Sequence, residues 1–200
     1  MERFTKVSVI LWTGAAIALQ VWLLRAWANL PWITLGVLVA SALAARRDRR
    51  AVSIVLALGC SAPALVRWLH GAQYSLWSVI WMSALLGAML PDALRTPWRI
   101  PLRWRGALVL AVLVVALSSI LSVWREIDGY LPVLVDHGAV AWVNGLPRFV
   151  LTWILNVSII LTLGVLWFDW LFGAADLDFE GVVVTPLVAG ACATALVSAY

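Results

Sequence analysis

The stretch RRDRR, Arg46–Arg50, separates two long apolar runs and decides the fold. A second basic stretch, LRTPWRIPLRWR at Leu94–Arg105, separates a later pair of apolar runs. The connections that alternate with these two along the chain hold few basic residues. Short loops rich in Lys and Arg lie on the cytoplasmic side of a membrane protein. The alternation therefore predicts a chain that crosses a membrane repeatedly.

The composition agrees with a membrane protein. The 200 residues are 64% hydrophobic and only 12% charged, whereas soluble domains hold about 25% charged residues. The net charge of +4 could indicate a nucleic-acid partner. However, the arginines flank the apolar runs, where they orient helices and contact anionic lipid. We therefore expect membrane lipid, and no nucleic acid, as a partner.

Seven apolar runs have lengths near those of spanning helices, which need about 17–25 residues. They are Val7–Leu24, Leu30–Ala45, Ala51–Leu69, Tyr74–Leu90, Gly106–Val123, Phe149–Leu171 and Val182–Tyr200. If all seven span, ten basic residues lie on the side of the N-terminus and four on the other side. The pattern predicts an all-α polytopic transmembrane helix bundle of about seven spans, with a cytoplasmic N-terminus.

Residues 1–200 form one transmembrane domain in this interpretation. The last apolar run stops at Tyr200 without a charged flank, which predicts the N-terminal part of a longer protein.

Two of the runs allow alternatives. The run Leu30–Ala45 is short enough to be re-entrant, but that would move Arg46–Arg50 to the outer side, against the charge rule. The first run could be a signal peptide, since Ala26–Ala28 resembles a cleavage site. Its apolar part is longer than the roughly 7–15 residues of a signal. We favour a span and an uncleaved helix.

Few polar residues lie deep in the runs. Gln20, Asn156 and Thr162 are predicted to form hydrogen bonds between helices. Asp169, between Trp167 and Trp170, is predicted to lie at the cytoplasmic membrane interface. Cys60 and Cys192 fall inside apolar runs without a neighbour at metal-binding spacing, so no metal site and no cofactor is predicted.

The most polar outer connection is Trp124–Arg148, predicted to lie along the membrane–water interface as a short helix or loop. In a functional interpretation Arg125 and Arg148 clamp phosphate oxygens, because a guanidinium matches their geometry. His137, beside Asp136, then acts as a general base. In the alternative, both arginines anchor helix ends and the other two residues are solvated. We favour this alternative, because arginine is common at helix ends.

Two stretches carry a resemblance. WREID at Trp124–Asp128 is followed by Leu131-Pro132, and the sixth run ends in GVLWFDWLF at Gly164–Phe172. With the inside N-terminus and the short early loops, these residues resemble the N-terminal half of bacterial O-antigen ligase/polymerase-like membrane proteins.

The resemblance implies an inner-membrane glycosyltransferase of lipopolysaccharide and other polysaccharide biosynthesis. Such proteins transfer a glycan from an undecaprenyl-pyrophosphate carrier on the outer face, without a metal or nucleotide sugar. In that family the main Arg and His residues of the site lie in a large outer loop beyond the first half. No catalytic residue is therefore carried over from that family to this chain.

Two other classes of function stay open. A transporter or flippase component is suggested by Pro63, Pro186 and the small residues Gly14–Ala16, since such helices can bend and pack closely. The absence of charge in the middle of the runs counts against it. A non-catalytic membrane scaffold subunit is suggested by the lack of any P-loop, G-x-S-x-G or H-E-x-x-H motif.

Overall fold

A computed structural model describes residues 2–23, 28–68, 74–136, 139–173, 180–185, 188–189 and 192. These residues form six α-helices and one short π-helical turn, and none of them is in a strand. The helices are α1 (Glu2–Leu23), α2 (Leu30–Arg47), α3 (Arg50–Trp68), α4 (Tyr74–Arg95), α5 (Leu102–Asp136) and α6 (Ala139–Gly173). The π-helical turn is Glu180–Val184.

Five helices are long and apolar enough to cross a membrane. Their apolar windows are Lys6–Leu23, Leu30–Arg47, Trp77–Arg95, Trp104–Leu121 and Val150–Gly173. The window of α2 has 18 residues, about 27 Å at 1.5 Å per residue, which approaches the thickness of the hydrocarbon layer. The predicted all-helical architecture of long apolar segments is confirmed in the described part of the chain.

Helix α4 is the centre of the bundle. It contacts α1, α2, α3 and α6. Its side chains Val79, Met82 and Met89 are almost completely buried. Lipid tails are as apolar as these side chains, so close van der Waals packing rather than escape from water stabilises such contacts. Helix α5 is the opposite case, because no residue of its apolar window is buried.

Helices α2 and α4 approach each other closely at Gly87. A Cβ at this position would overlap the backbone carbonyl of Leu38 and lie 3.0 Å from its Cα. Ser83 and Gly87 stand four residues apart on α4 and are both buried. This small-xxx-small spacing is typical of helices whose backbones pack closely in membranes.

Helix α4 continues through a proline beyond its predicted end. The fourth helix was expected to stop at Leu90, but α4 continues through Pro91 to Arg95. A proline within a helix removes one backbone hydrogen bond, and its ring crowds the carbonyl four residues earlier. The residue four positions before Pro91 is Gly87, and the helix tolerates the proline there.

Helices α5 and α6 are longer than the apolar runs that predicted them. The predicted spans Gly106–Val123 and Phe149–Leu171 agree closely with the apolar windows of these two helices. The helices themselves have 35 residues and extend to Asp136 and from Ala139, so most of the predicted connection Trp124–Arg148 is helical. Each helix is about 52 Å long, against about 30 Å of hydrocarbon.

The predicted seventh helix, Val182–Tyr200, lies mostly outside the described residues. Within it the structure describes the end of the π-helical turn, Thr185, and residues 188–189 and 192.

Candidate functional site

A buried ion pair lies at the end of the bundle that carries the arginine-rich connections. The ammonium of Lys6 on α1 is 2.5 Å from Oδ2 of Asp169 on α6. The two side chains are only 2% and 1% exposed. Buried charges of this kind need a partner and further hydrogen bonds to offset their desolvation. Asp169 therefore sits inside the protein, paired with Lys6, and not simply at a solvated membrane interface.

Both members of the pair have additional partners. The Lys6 ammonium also lies 3.3 Å from the hydroxyl of Thr96 and 3.4 Å from the carbonyl oxygens of Thr96 and Pro97. It lies 5.4 Å from the ring centroid of Trp98, within the range of a cation–π contact. The second carboxylate oxygen of Asp169 accepts the backbone N–H of Arg99 at 2.7 Å. The pair thus joins α1 and α6 to the connection between α4 and α5.

Arg99 strengthens the same connection. Its guanidinium donates two hydrogen bonds to Asp92 on α4, at 2.9 and 3.1 Å, in a bidentate arrangement. It also packs over the end of α6, where a Cβ on Gly173 would overlap it. A bidentate guanidinium–carboxylate pair fixes direction as well as distance. The residues 96–101 are therefore held against three helices.

A basic cavity opens beside this cluster. It has a volume of about 310 Å³ and is formed by the ends of α2 and α4, the start of α3 and one side of α6. We define the arginine pocket as this cavity with its four basic lining residues, Arg46, Arg47, Arg49 and Arg95. Val52, Ala88 and Trp170 form an apolar part of its wall.

Three hydrogen bonds connect α1 and α6, two of them partly buried and one exposed. The Gln20 amide donates to the Asn156 carbonyl oxygen at 2.6 Å, and Thr13 donates to Thr162 at 2.8 Å. The Trp12 indole N–H donates to Ser158 at 2.7 Å. The prediction that Gln20, Asn156 and Thr162 bond between helices is confirmed. Each such bond in lipid is worth about 0.6 kcal/mol on average.

Of the small residues Gly14–Ala16, only Ala16 is buried in the core. No atom outside its own helix lies within 4 Å of the Cβ position of Gly14, and Ala15 is exposed. Gly14 instead lines an apolar crevice of about 450 Å³ between α1, α2 and α4. The close packing expected there is found at Gly87.

The predicted outer site is only partly described. Arg125 and Asp136 lie on α5, with Asp136 its last residue, and Arg148 lies on α6. The side chains of these three residues and all of His137 lie outside the described part of the structure. The functional interpretation of the four residues stays a prediction. The described residues contain no group of three His, Cys, Asp or Glu side chains that could hold a metal ion.

Sequence reasoning missed the pairing of Lys6 with Asp169 and of Asp92 with Arg99. One sequence feature could have indicated a partner for Asp169, because this residue lies between Trp167, Phe168 and Trp170 in the sequence. A carboxylate in such an apolar segment is seldom buried without a cationic partner.

Comparison of the chain with protein-family models, curated proteins and solved structures found no match. The class of protein therefore follows from the structure alone. Five helices long and apolar enough to span a membrane, four of which share a common core, indicate a helical membrane protein. One end of its bundle combines a buried ion pair with an arginine pocket.

Proposed function

We propose that the chain is the membrane-embedded part of a glycosyltransferase of cell-surface polysaccharide assembly. It takes a glycan from an undecaprenyl-pyrophosphate carrier at the outer face of the bacterial inner membrane, as O-antigen ligase or polymerase-like proteins do. The proposed topology has seven spans and a cytoplasmic N-terminus. The likeness of Trp124–Asp128 and Gly164–Phe172 to that family supports this function.

The observation that carries the proposal is the length of α5 and α6. Both helices continue at the end opposite the arginine-rich connections, α5 to Asp136 and α6 from Ala139. Each has 35 residues and is about 52 Å long, which exceeds the roughly 30 Å of hydrocarbon. Two contacting helices of this length support a binding role outside the hydrocarbon layer on this side.

The positions of two arginines along these helices favour contact with lipid phosphates. Arg125 comes two residues after the apolar run that ends at Val123, and Arg148 one residue before the run that begins at Phe149. These offsets correspond to about 3 and 1.5 Å along the helices, close to the headgroup depth. A pyrophosphate-linked carrier has its charged group at that depth and its isoprenoid chain in the lipid.

The reaction requires charge stabilisation and a base. An acceptor hydroxyl attacks the anomeric carbon, the bond from that carbon to the pyrophosphate breaks, and the lipid pyrophosphate leaves with the electron pair. In the proposal Arg125 and Arg148 hold the leaving diphosphate. His137, beside Asp136, receives the proton of the acceptor hydroxyl.

Transfer of lipid-linked glycan by the full-length protein tests the two arginines. Arg125→Gln and Arg148→Gln are each expected to slow transfer by at least about tenfold, because a charge-assisted hydrogen bond to phosphate is lost. The rate of glycan transfer from the undecaprenyl-pyrophosphate donor is measured in proteoliposomes. Arg50→Gln, at the start of α3 on the other side of the bundle, is the matched control and should transfer like the parent. Unchanged rates in both outer variants would remove the clamp from the mechanism.

Accessibility to a membrane-impermeant maleimide tests the proposed topology. In a background with Cys60→Ala and Cys192→Ala, a cysteine is placed either at the exposed Asp48 or at the exposed Asn29. In intact spheroplasts Asn29→Cys should be labelled and Asp48→Cys protected, since Arg46–Arg50 faces the cytoplasm. Permeabilisation should expose Asp48→Cys as the control. Labelling of Asp48→Cys in intact spheroplasts contradicts the topology.

A further inference from the structure

We propose that the arginine pocket binds the phosphate headgroup of an anionic membrane lipid. This site is at the opposite end of the bundle from Arg125 and Arg148, and it does not depend on the proposed transferase activity. The ligand is identified by its chemistry, a phosphodiester joined to apolar chains.

The depth of the pocket fits a lipid headgroup. The apolar windows of α2, α4 and α6 end at Arg47, Arg95 and Gly173. The cavity is lined by the last turn of each of these three spans, through Ala45, Asp92 and Trp170. A pocket at the ends of three spans lies where the hydrocarbon gives way to phosphates. Basic pockets between membrane helices on one face are known to bind anionic headgroups.

The charge of the pocket is not neutralised by the protein. None of its four arginines forms an ion pair with a carboxylate in the part of the chain that the structure describes. The one acidic lining residue, Asp92, is already bound by both guanidinium nitrogens of Arg99. The pocket therefore presents four guanidinium groups and no free carboxylate, which favours an anion with several oxygens.

The wall of the pocket suits the rest of a lipid. Val52, Ala88 and Trp170 are almost completely buried and form an apolar part of the cavity wall, whereas the four arginines are exposed. A volume of about 310 Å³ is at the lower end of small-molecule sites. A cavity of this size admits the phosphate of a lipid, while its acyl chains stay in the surrounding hydrocarbon.

Two rival explanations are separated by experiment. The arginines could serve only to orient the chain, a role for which lysine is equally suited. Alternatively, the acidic segment that contains Asp176 and Asp178, which lies outside the described residues, could occupy the pocket. A phosphate site differs from the first explanation because it needs guanidinium groups and not merely positive charge. It differs from the second because the cavity must be open to the lipid.

The experiment measures lipid retention by the full chain. The purified protein is reconstituted with phosphatidylglycerol and phosphatidylcholine, and bound lipid is quantified by native mass spectrometry. The parent should prefer phosphatidylglycerol, and Arg46→Gln with Arg95→Gln should weaken its binding by about tenfold or more. The same pair changed to lysine should bind less tightly than the parent. Arg50→Gln, which keeps the pocket intact, should bind like the parent.

Several results would overturn the assignment. Equal binding by the parent and the glutamine variant, or by the parent and the lysine variant, shows that the pocket is not a specific phosphate site. Displacement of phosphatidylglycerol by inorganic phosphate at equal concentration indicates a free-phosphate site instead. A clear rise in lipid binding on Asp176→Asn with Asp178→Asn shows that the acidic segment fills the pocket.

A second measurement uses the unaltered protein. A photoreactive phosphatidylglycerol with its reactive group near the glycerol is crosslinked in proteoliposomes, and the adducts are mapped by mass spectrometry. Adducts at Val52, Ala88 or Trp170 support the site. Adducts confined to the lipid-exposed surface of α5 contradict it.

Discussion

Asp169→Ala is expected to lower the free energy of unfolding by about 3–5 kcal/mol. The change removes the carboxylate that faces the Lys6 ammonium, while Lys6 itself is only 2% exposed and cannot reach water. The backbone N–H of Arg99 loses its acceptor at the same time. The remaining partners of Lys6 are neutral oxygens and the ring of Trp98, which offset a buried positive charge only in part. Thermal or denaturant unfolding in mixed lipid–detergent micelles measures the loss.

Matched variants separate the effect of the lost charge on stability from the effect of the lost packing. Asp169→Asn keeps an acceptor for the Arg99 N–H but removes the negative charge, so its loss should be smaller than that of Asp169→Ala. Lys6→Met combined with Asp169→Leu removes both charges and should recover most of the stability, since an apolar pair of similar size can replace a buried ion pair. If Asp169→Ala unfolds like the parent, the pair does not stabilise the bundle.

Gly87→Leu is expected to lower the free energy of unfolding by about 3 kcal/mol. The added side chain would overlap the carbonyl of Leu38, and a backbone atom cannot move aside as a flexible side chain can. Helix α2 must therefore shift away from α4. This shift weakens the packing of α4, which has the most buried of the apolar windows. Gly87→Ala should also destabilise the fold, although alanine is the better helix former by about 1 kcal/mol.

Gly14→Ala is the control for this change. It makes the same substitution in a helix of the same bundle, but no atom outside its own helix lies within 4 Å of the new Cβ. It should leave the stability unchanged or raise it slightly, because alanine favours the helix. Equal effects of Gly87→Ala and Gly14→Ala would contradict a close approach of α2 and α4. Unfolding is followed by the fluorescence of the tryptophans in both variants.

The membrane character of this protein could be predicted from its residues one segment at a time. Hydropathy is a property of each run, so the five long apolar helices and the short connection at Arg46–Arg50 follow from the sequence. Hydrogen bonding by Gln20 and Asn156 was also predictable, because a deep amide in lipid needs a partner. The helix ends were less predictable where α5 and α6 continue past their apolar runs to Asp136 and from Ala139.

Only the tertiary structure decided which residues meet. Lys6 and Asp169 are 163 positions apart in sequence, and nothing in either segment specifies the other as its partner. The same holds for Gly87 against Leu38, and for the four arginines that α2, the turn before α3, and α4 bring around one cavity. Hydropathy and charge depend on neighbours along the chain and determine which segments enter the membrane. Ion pairs, close backbone contacts and pockets depend on how the helices pack, and this is decided by shape complementarity between segments distant in sequence.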